Sequence, residues 1–324
     1  MAHHEVMKKI IGWTVALLLT PILLILIMAV LLYLPPVQNW AVDKVAAIVS
    51  EKTGMTVSVG YVKLEWPLNL GLDDFLMVHE GDTLADVGHL TANVKLKPLL
   101  KKRLVINELS LVNSKLNTNG FISDLRVKGR VGELWLQSKG IDLDRETAEV
   151  NGARLHDADL DIQLSDTAAV DTTESTLRWR INADALTISR TAVAVHMPGD
   201  STHVSAYMEL AVAREADIDL ATSTYRVASL DWREGRLGYI AATPTTRQPV
   251  TKYDLCDIRL GVDSIYYGPE GTSLYIRGAA LKEQQTGLQL TELRGGVRLD
   301  TAFTHISMPG VVLRTPDSDV EGGG

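Results

Sequence analysis

The sequence predicts a mainly β protein hung from one membrane-spanning helix, with one further short helix at its start. Three observations predict this. An uncharged apolar run, IIGWTVALLLTPILLILIMAVLLYL, fills positions 10–34. After Gly54 apolar residues recur at every second position, the period of a strand. From Val127 onward Gly, Asn, Asp or Pro interrupts that alternation at intervals of about 8–15 residues, as in an extended antiparallel meander.

The run Ile10–Leu34 is long enough to cross a bilayer, which needs about 20 apolar residues in helical form. It has no polar stripe, so it is not the amphipathic helix of a soluble domain. Trp13 and Tyr33 stand near its ends, at headgroup level. Pro21 is expected to kink it rather than break it. A cleaved signal peptide would have a shorter core and a small-residue cleavage site; LYLPPVQNW follows instead. Lys8 and Lys9 precede the run and the first charge after it is Asp43. Residues 1–9 are therefore expected in the cytoplasm and the bulk of the chain across the membrane. His3 and His4 read as ordinary N-terminal residues.

Pro35 and Pro36 end the spanning helix. In PVQNWAVDKVAAIVSEKTG, Val37, Ala41, Val45, Ile48 and Val49 share one helical stripe and Gly54 is placed to cap it. The period then becomes two. Val57 and Val59 alternate, and Val62, Leu64 and Trp66 follow with opposite parity, so Gly60 or Tyr61 marks a bulge or turn. Leu68, Leu70 and Leu72 alternate, Glu80–Asp82 is a turn, and Leu90, Ala92, Val94 and Leu96 alternate up to Pro98. Ile106, Leu109 and Leu111 form the next strand. Residues 36–118 read as one α+β unit and 119–324 as an elongated β-meander. Its clearest alternation is Val204, Ala206, Met208, Leu210 and Val212. The many small inward residues fit either a sandwich core or a shallow apolar groove; alternation alone favours the sandwich. The chain ends at DSDVEGGG within the strand rhythm, as expected for part of a longer chain or for an edge that a partner covers.

Composition narrows the function. Charged residues are 22% of the 324 and the net charge is -8, which argues against a nucleic-acid partner. Cys256 is the single cysteine, so no intrachain disulfide exists; it reads as a small buried hydrophobe. No nucleophile elbow, phosphate loop, zincin motif or paired-cysteine metal spacing occurs. His79, His89, His156, His196, His203 and His305 are scattered and read as solvated or hydrogen-bonded. Asp157, Asp159 and Asp161 alternate with Ala158, Leu160 and Ile162, a water-facing strand face rather than a calcium loop. Gly295–Gly296 reads as a hairpin turn. The expectation is a protein that is not an enzyme, with no metal and no cofactor. Lys97, Lys101, Lys102 and Arg103 are the compact basic cluster, read either as a solvated loop or as a contact for anionic lipid headgroups.

The order of these elements carries a resemblance. A basic flank and anchor precede PVQNWAVDKVAAIVSEKTGMTVSVGYVKLEW, then LDDF, then VKLKPLLKKRLVINELSL. This resembles the N-terminal unit of the AsmA-like superfamily. The stretch DLCDIRLGVDSIYYGPEGTSLYIRGAALKE and the strands after it resemble the repeats of TamB-like (translocation and assembly module) proteins of the Bacteroidetes type. The resemblance implies a Gram-negative inner-membrane anchor and a long, twisted, taco-shaped sheet in the periplasm. Its open apolar groove would carry phospholipid toward the outer membrane, and this tips the balance from sandwich to groove. Candidate groove-lining residues are Leu186, Ile188, Val193, Val195, Val204, Met208, Leu210, Ile258, Leu260, Val262, Leu274, Ile276, Leu288 and Leu290. The alternative is a scaffold in outer-membrane protein assembly with a BamA-like barrel partner, binding strands by edge pairing.

Overall fold

The computed structural model describes residues 55–65, 69–94, 105–118, 125–142, 145–164, 178–197, 202–241, 251–301 and 304–322. The expected anchor over 10–34, the expected helix within 36–54, and Lys97, Lys101, Lys102 and Arg103 lie outside these residues. Among the described residues, no helix is long and apolar enough to cross a membrane.

Among the described residues the period-two alternation becomes fifteen strands of one open sheet. In chain order they are β1 (Met55–Glu65), β2 (Asn69–His79), β3 (Asp82–Val94), β4 (Val105–Asn117), β5 (Leu125–Asp142), β6 (Thr147–Leu164), β7 (Arg180–Met197), β8 (Thr202–Asp219), β9 (Thr224–Ala241), β10 (Thr251–Gly268), β11 (Gly271–Glu283), β12 (Gln289–Leu299), β13 (Ile306–Ser307), β14 (Val311–Arg314) and β15 (Asp319–Gly322). Each pairs with the next up to β12, which carries β14 and then β15; β13 is a side partner of β12. The sheet runs without a break through the boundary expected at 118/119, because β4 pairs β5.

Three expectations are corrected. The meander is not wholly antiparallel: β6 and β7 run parallel, so the sheet is mixed. Alternation fixes the face that a strand shows, not its direction, so the pattern was silent on this point. The sandwich does not form either. Among the described residues substantial contacts join only hydrogen-bonded neighbours, so no second layer packs on the sheet. Gly295–Gly296 is not a turn but lies inside β12. A Cβ on Gly295 would stand 2.9 Å from Val311 Cα, and the Gly296 N–H donates to the Pro309 carbonyl at 2.9 Å. The pair marks a close backbone approach.

An open sheet of this size needs a way to curl. Here the strands bend along a shared line. Asp74, Asn113, Asp157 and Arg190 hold left-handed backbone in the middle of β2, β4, β6 and β7. On the strands between them stand glycines. Gly60 faces Asp74 between the Val59–Phe75 and Tyr61–Asp73 pairs. Gly88 separates Asp74 from Asn113, and Gly132 separates Asn113 from Asp157. A Cβ on Gly60, Gly88 or Gly132 would come within 3.0, 3.3 and 2.7 Å of the Cβ of Asp74, Asn113 and Asp157. The left-handed residue and the missing side chain are thus one device, repeated strand by strand. Each crossing of the line reverses the parity of the apolar residues, so they stay on one face. The switch read at Gly60 or Tyr61 is this crease.

The turn read at Glu80–Asp82 is also present: Glu80 and Gly81 both have positive φ, as a tight hairpin turn demands. Cys256 is buried and free.

Candidate functional site

Residues directly opposite one another in neighbouring strands point to the same face. The register therefore identifies what each face carries. One row reads Val62, Leu72, Leu90, Leu111, Leu134, Leu155, Ile188, Ala211, Trp232, Leu260, Ala279, Leu293, Leu313, Val320. It runs from β1 to β15 without a polar residue. At about 4.8 Å per strand it is roughly 60 Å long. A second row lies beside it: Leu70, Ala92, Leu109, Leu136, Ala153, Leu186, Ala213, Leu230, Val262, Ile276. Strand length grows from 11 residues in β1 to 18 in β5 and is 11 again in β12, so the apolar face is broadest in mid-sheet.

The face is graded in depth. The residues beside the crease are small and deeply buried: Ser114, Val131, Ala158 and Thr191, the last at 0% exposure. A further cluster, Ala148, Val150, Ala183 and Ala216, is packed by Leu136, Leu186 and Trp179. Small residues thus lie beside the crease, with large aliphatic ones flanking them on the same face. Paired tyrosines stand toward both ends of β9 and β10: Tyr225 with Tyr267, ring centres 5.7 Å apart, and Tyr239 with Tyr253, 6.2 Å apart. Tyr253 and Tyr267 are about half exposed.

All of the candidate lining residues except Leu210 and Leu288 share this face. Leu186, Ile188, Leu260, Val262 and Ile276 are in the two rows above. Val193 pairs Ala206, Val195 pairs Val204, and Met208 pairs Thr191. Ile258 pairs Gly235, Leu274 pairs Val297, and Leu290 pairs Leu281. Leu210 is on the other side, between Ser189 and Arg233. The alternation Val204–Val212 looked unbroken because Leu210 and Val212 are apolar residues on the polar face, beyond a parity switch at Glu209, which faces left-handed Arg190. Leu288 precedes β12 and is exposed. Sequence reasoning missed Leu134, Leu155, Trp232 and Leu313; alternation read with the parity switch would have found them.

The opposite face is polar. Its matching row reads Tyr61, Asp73, His89, Val112, Glu133, His156, Ser189, Leu210, Arg233. Cross-strand ion pairs cover it, among them Lys115–Asp86 at 3.6 Å, Arg130–Asp159 at 3.8 Å, Arg154–Glu133 at 3.8 Å and Arg214–Asp231 at 3.2 Å. Such exposed pairs are worth about 0–1 kcal/mol each, so they keep the face wet more than they stabilise it. Asp159 and Asp161 lie on this face as expected, opposite Arg130 and Lys128.

Two groupings on the polar face have chemical character. Ser189 Oγ is 2.8 Å from His156 Nδ1, and His156 Nε2 is 3.4 Å from Asp157. This has the connectivity of a nucleophilic triad, but Arg190 breaks it. Its guanidinium reaches both Asp157 and His156 Nε2. A guanidinium only donates, so Nε2 is unprotonated and Nδ1 carries the proton that Ser189 Oγ accepts. The imidazole holds the serine and does not deprotonate it. The second grouping joins Asp161, His196 and His203, histidines far from metal-site spacing in sequence. Among the described residues no three metal-ligating groups converge.

One carboxylate ends an apolar row. Val57, Met77, Ala85, Leu116, Gly129, Leu160, Val193, Ala206, Leu237 and Leu255 lead to Glu283. The Glu283 side chain accepts from Thr286 Oγ and from the N–H groups of Thr286, Gln285 and Asp254. Led by the Thr286 bonds, these hold its carboxyl at about 2. It caps the turn after β11. Compared with known proteins, the chain matches no family model and no curated protein.

Proposed function

We propose that this chain is a membrane-anchored carrier of phospholipid acyl chains, of the AsmA-like, TamB-like kind, that moves lipid from the inner toward the outer membrane of a Gram-negative cell. The observation that carries this reading is the uninterrupted apolar row from Val62 to Val320 on a face with no covering layer among the described residues. A face of this extent is costly in water and calls for an apolar occupant. The hydrocarbon core of a bilayer is about 30 Å thick for two leaflets, so a row of roughly 60 Å accepts several acyl chains end to end. Each buried CH₂ contributes about 0.8 kcal/mol without a directional contact. An acyl chain is then held along the whole row and at no single point, which suits sliding. The uncharged run Ile10–Leu34 supplies the anchor in this reading.

Native mass spectrometry of the chain purified in mild detergent tests it. Phospholipid is expected to co-purify with the wild type and with Leu210→Glu, which alters the polar face. It is expected to be lost from Leu260→Glu, which places a charge in the row. Equal lipid content in the two variants, with both folded by circular dichroism, overturns the reading.

A further inference from the structure

Asp161, His196 and His203 stand side by side on β6, β7 and β8, on the polar face, where lipid carriage gives them no role. His196 Nε2 is 3.1 Å from Asp161 Oδ2. His196 and His203 are direct cross-strand partners. Their ring centres are 4.4 Å apart and the planes meet at 42°. The two Nδ1 atoms face each other at 3.2 Å.

The carboxylate decides the chemistry. Asp161 only accepts, so His196 Nε2 keeps its proton and Nδ1 carries the lone pair. That lone pair points at the second imidazole. In the absence of a cation, His203 Nδ1–H donates to it. Two ring nitrogens bound at about 2.0–2.1 Å to a tetrahedral Zn²⁺ stand about 3.4 Å apart. The observed separation is close to that edge. A carboxylate on the far nitrogen of a ligating imidazole is also the partner that orients it and raises its basicity. The flanking residues do not oppose a cation. Gln163 pairs His196 on β6 and Ile240 pairs His203 on β9; both are uncharged. Along this row the cations, Arg126 on β5 and Lys252 on β10, are each a further strand away, and Lys128 pairs Asp161 rather than either imidazole. The His196 side chain is 42% exposed, which leaves room for water at the remaining coordination positions.

We propose that His196 and His203 form a two-histidine site for a borderline divalent cation such as Zn²⁺, with Asp161 positioning His196. The cation would clip β7 to β8. With two protein ligands its affinity is modest, and binding through His203 Nδ1 moves that ring's proton from Nδ1 to Nε2 by way of solvent.

The test uses the full chain, Zn²⁺ and acylation of imidazoles by diethyl pyrocarbonate, read peptide by peptide so that His3 and His4 are scored separately. Zn²⁺ is expected to slow modification of His196 and His203 together, at least several-fold, and to leave His89 unchanged. In His196→Asn the protection of His203 is expected to vanish. Asp161→Asn is expected to weaken Zn²⁺ binding about tenfold, the usual cost of losing such a carboxylate. The proposal is overturned if Zn²⁺ protects neither residue, or if His203 is still protected in His196→Asn. Circular dichroism of both exposed-site variants confirms that they fold.

Discussion

Gly132 and Asp157 face each other across β5 and β6, and the missing side chain of the one leaves space for the left-handed backbone of the other. Asp157 has φ 52°, and a Cβ on Gly132 would lie 2.7 Å from the Asp157 Cβ. Gly132→Ala is therefore expected to force the crease open locally. Overpacking of this kind typically costs about 1–3 kcal/mol. The check is the thermal midpoint by circular dichroism. Gly278→Ala, where no atom lies within 4 Å of the added Cβ, is the matched control and is expected to lower it less. Equal effects would mean that the crease does not depend on this glycine.

The crease also explains what the sequence revealed and what it hid. In β1 the parity change from Val57 and Val59 to Val62 was visible, because both sides of it are apolar. In β8 the same change was masked, since Leu210 and Val212 continue the alternation onto the wrong face. Polar Ser189, Arg190 and Thr191 interrupt the apolar pattern of 180–197, yet the segment is one strand, with its left-handed residue at Arg190. The parallel pairing of β6 with β7 left no trace in the pattern, because direction is set by the connection and not by the alternation. For the same reason, no spacing rule brings His196 to His203 or Ser189 to His156; cross-strand register alone does so.

The register makes a one-residue prediction about the apolar face. Ala211 lies between Ile188 and Trp232 on the apolar face, while Val212 lies between Thr187 and Asp231 on the polar face. A photo-crosslinking residue at 211 is expected to give acyl-chain adducts in cells, and the same residue at 212 is not. Mass spectrometry of the crosslinked protein distinguishes lipid from protein adducts. Protein adducts at 211, with no lipid, would favour an assembly scaffold over a lipid carrier.

Trp232 supplies a test of packing on the apolar face. Its indole lies over Gly235, where an added Cβ would meet ring atoms within 2.3–2.6 Å. Gly235→Ala must therefore displace the ring. It is expected to change the near-ultraviolet circular dichroism and to lower stability by about 1–3 kcal/mol. An unchanged aromatic spectrum would show that the indole does not rest there.

Glu283 gives the pH dependence. Its carboxyl is held at about 2 against an ordinary 4.5, chiefly by the hydroxyl and the N–H of Thr286. A carboxylate with a lowered folded-state pKa binds fewer protons folded than unfolded, so its stabilisation is complete above the ordinary value. It is lost as pH falls from about 4.5 through about 2. Asp300 is also held at about 2, by Thr304 and His305, so acid sensitivity of the wild type alone does not isolate Glu283. The difference between wild type and Glu283→Gln does. Wild type is expected to be the more stable at pH 6, with the gap closing progressively below pH 4.5. The amide retains one acceptor for Thr286 but no charge, so the gap measures the charge-assisted part of the turn. Urea midpoints across pH 3–6 provide the measurement. A gap that stays constant over this range would assign the turn to geometry rather than to the ionised carboxylate.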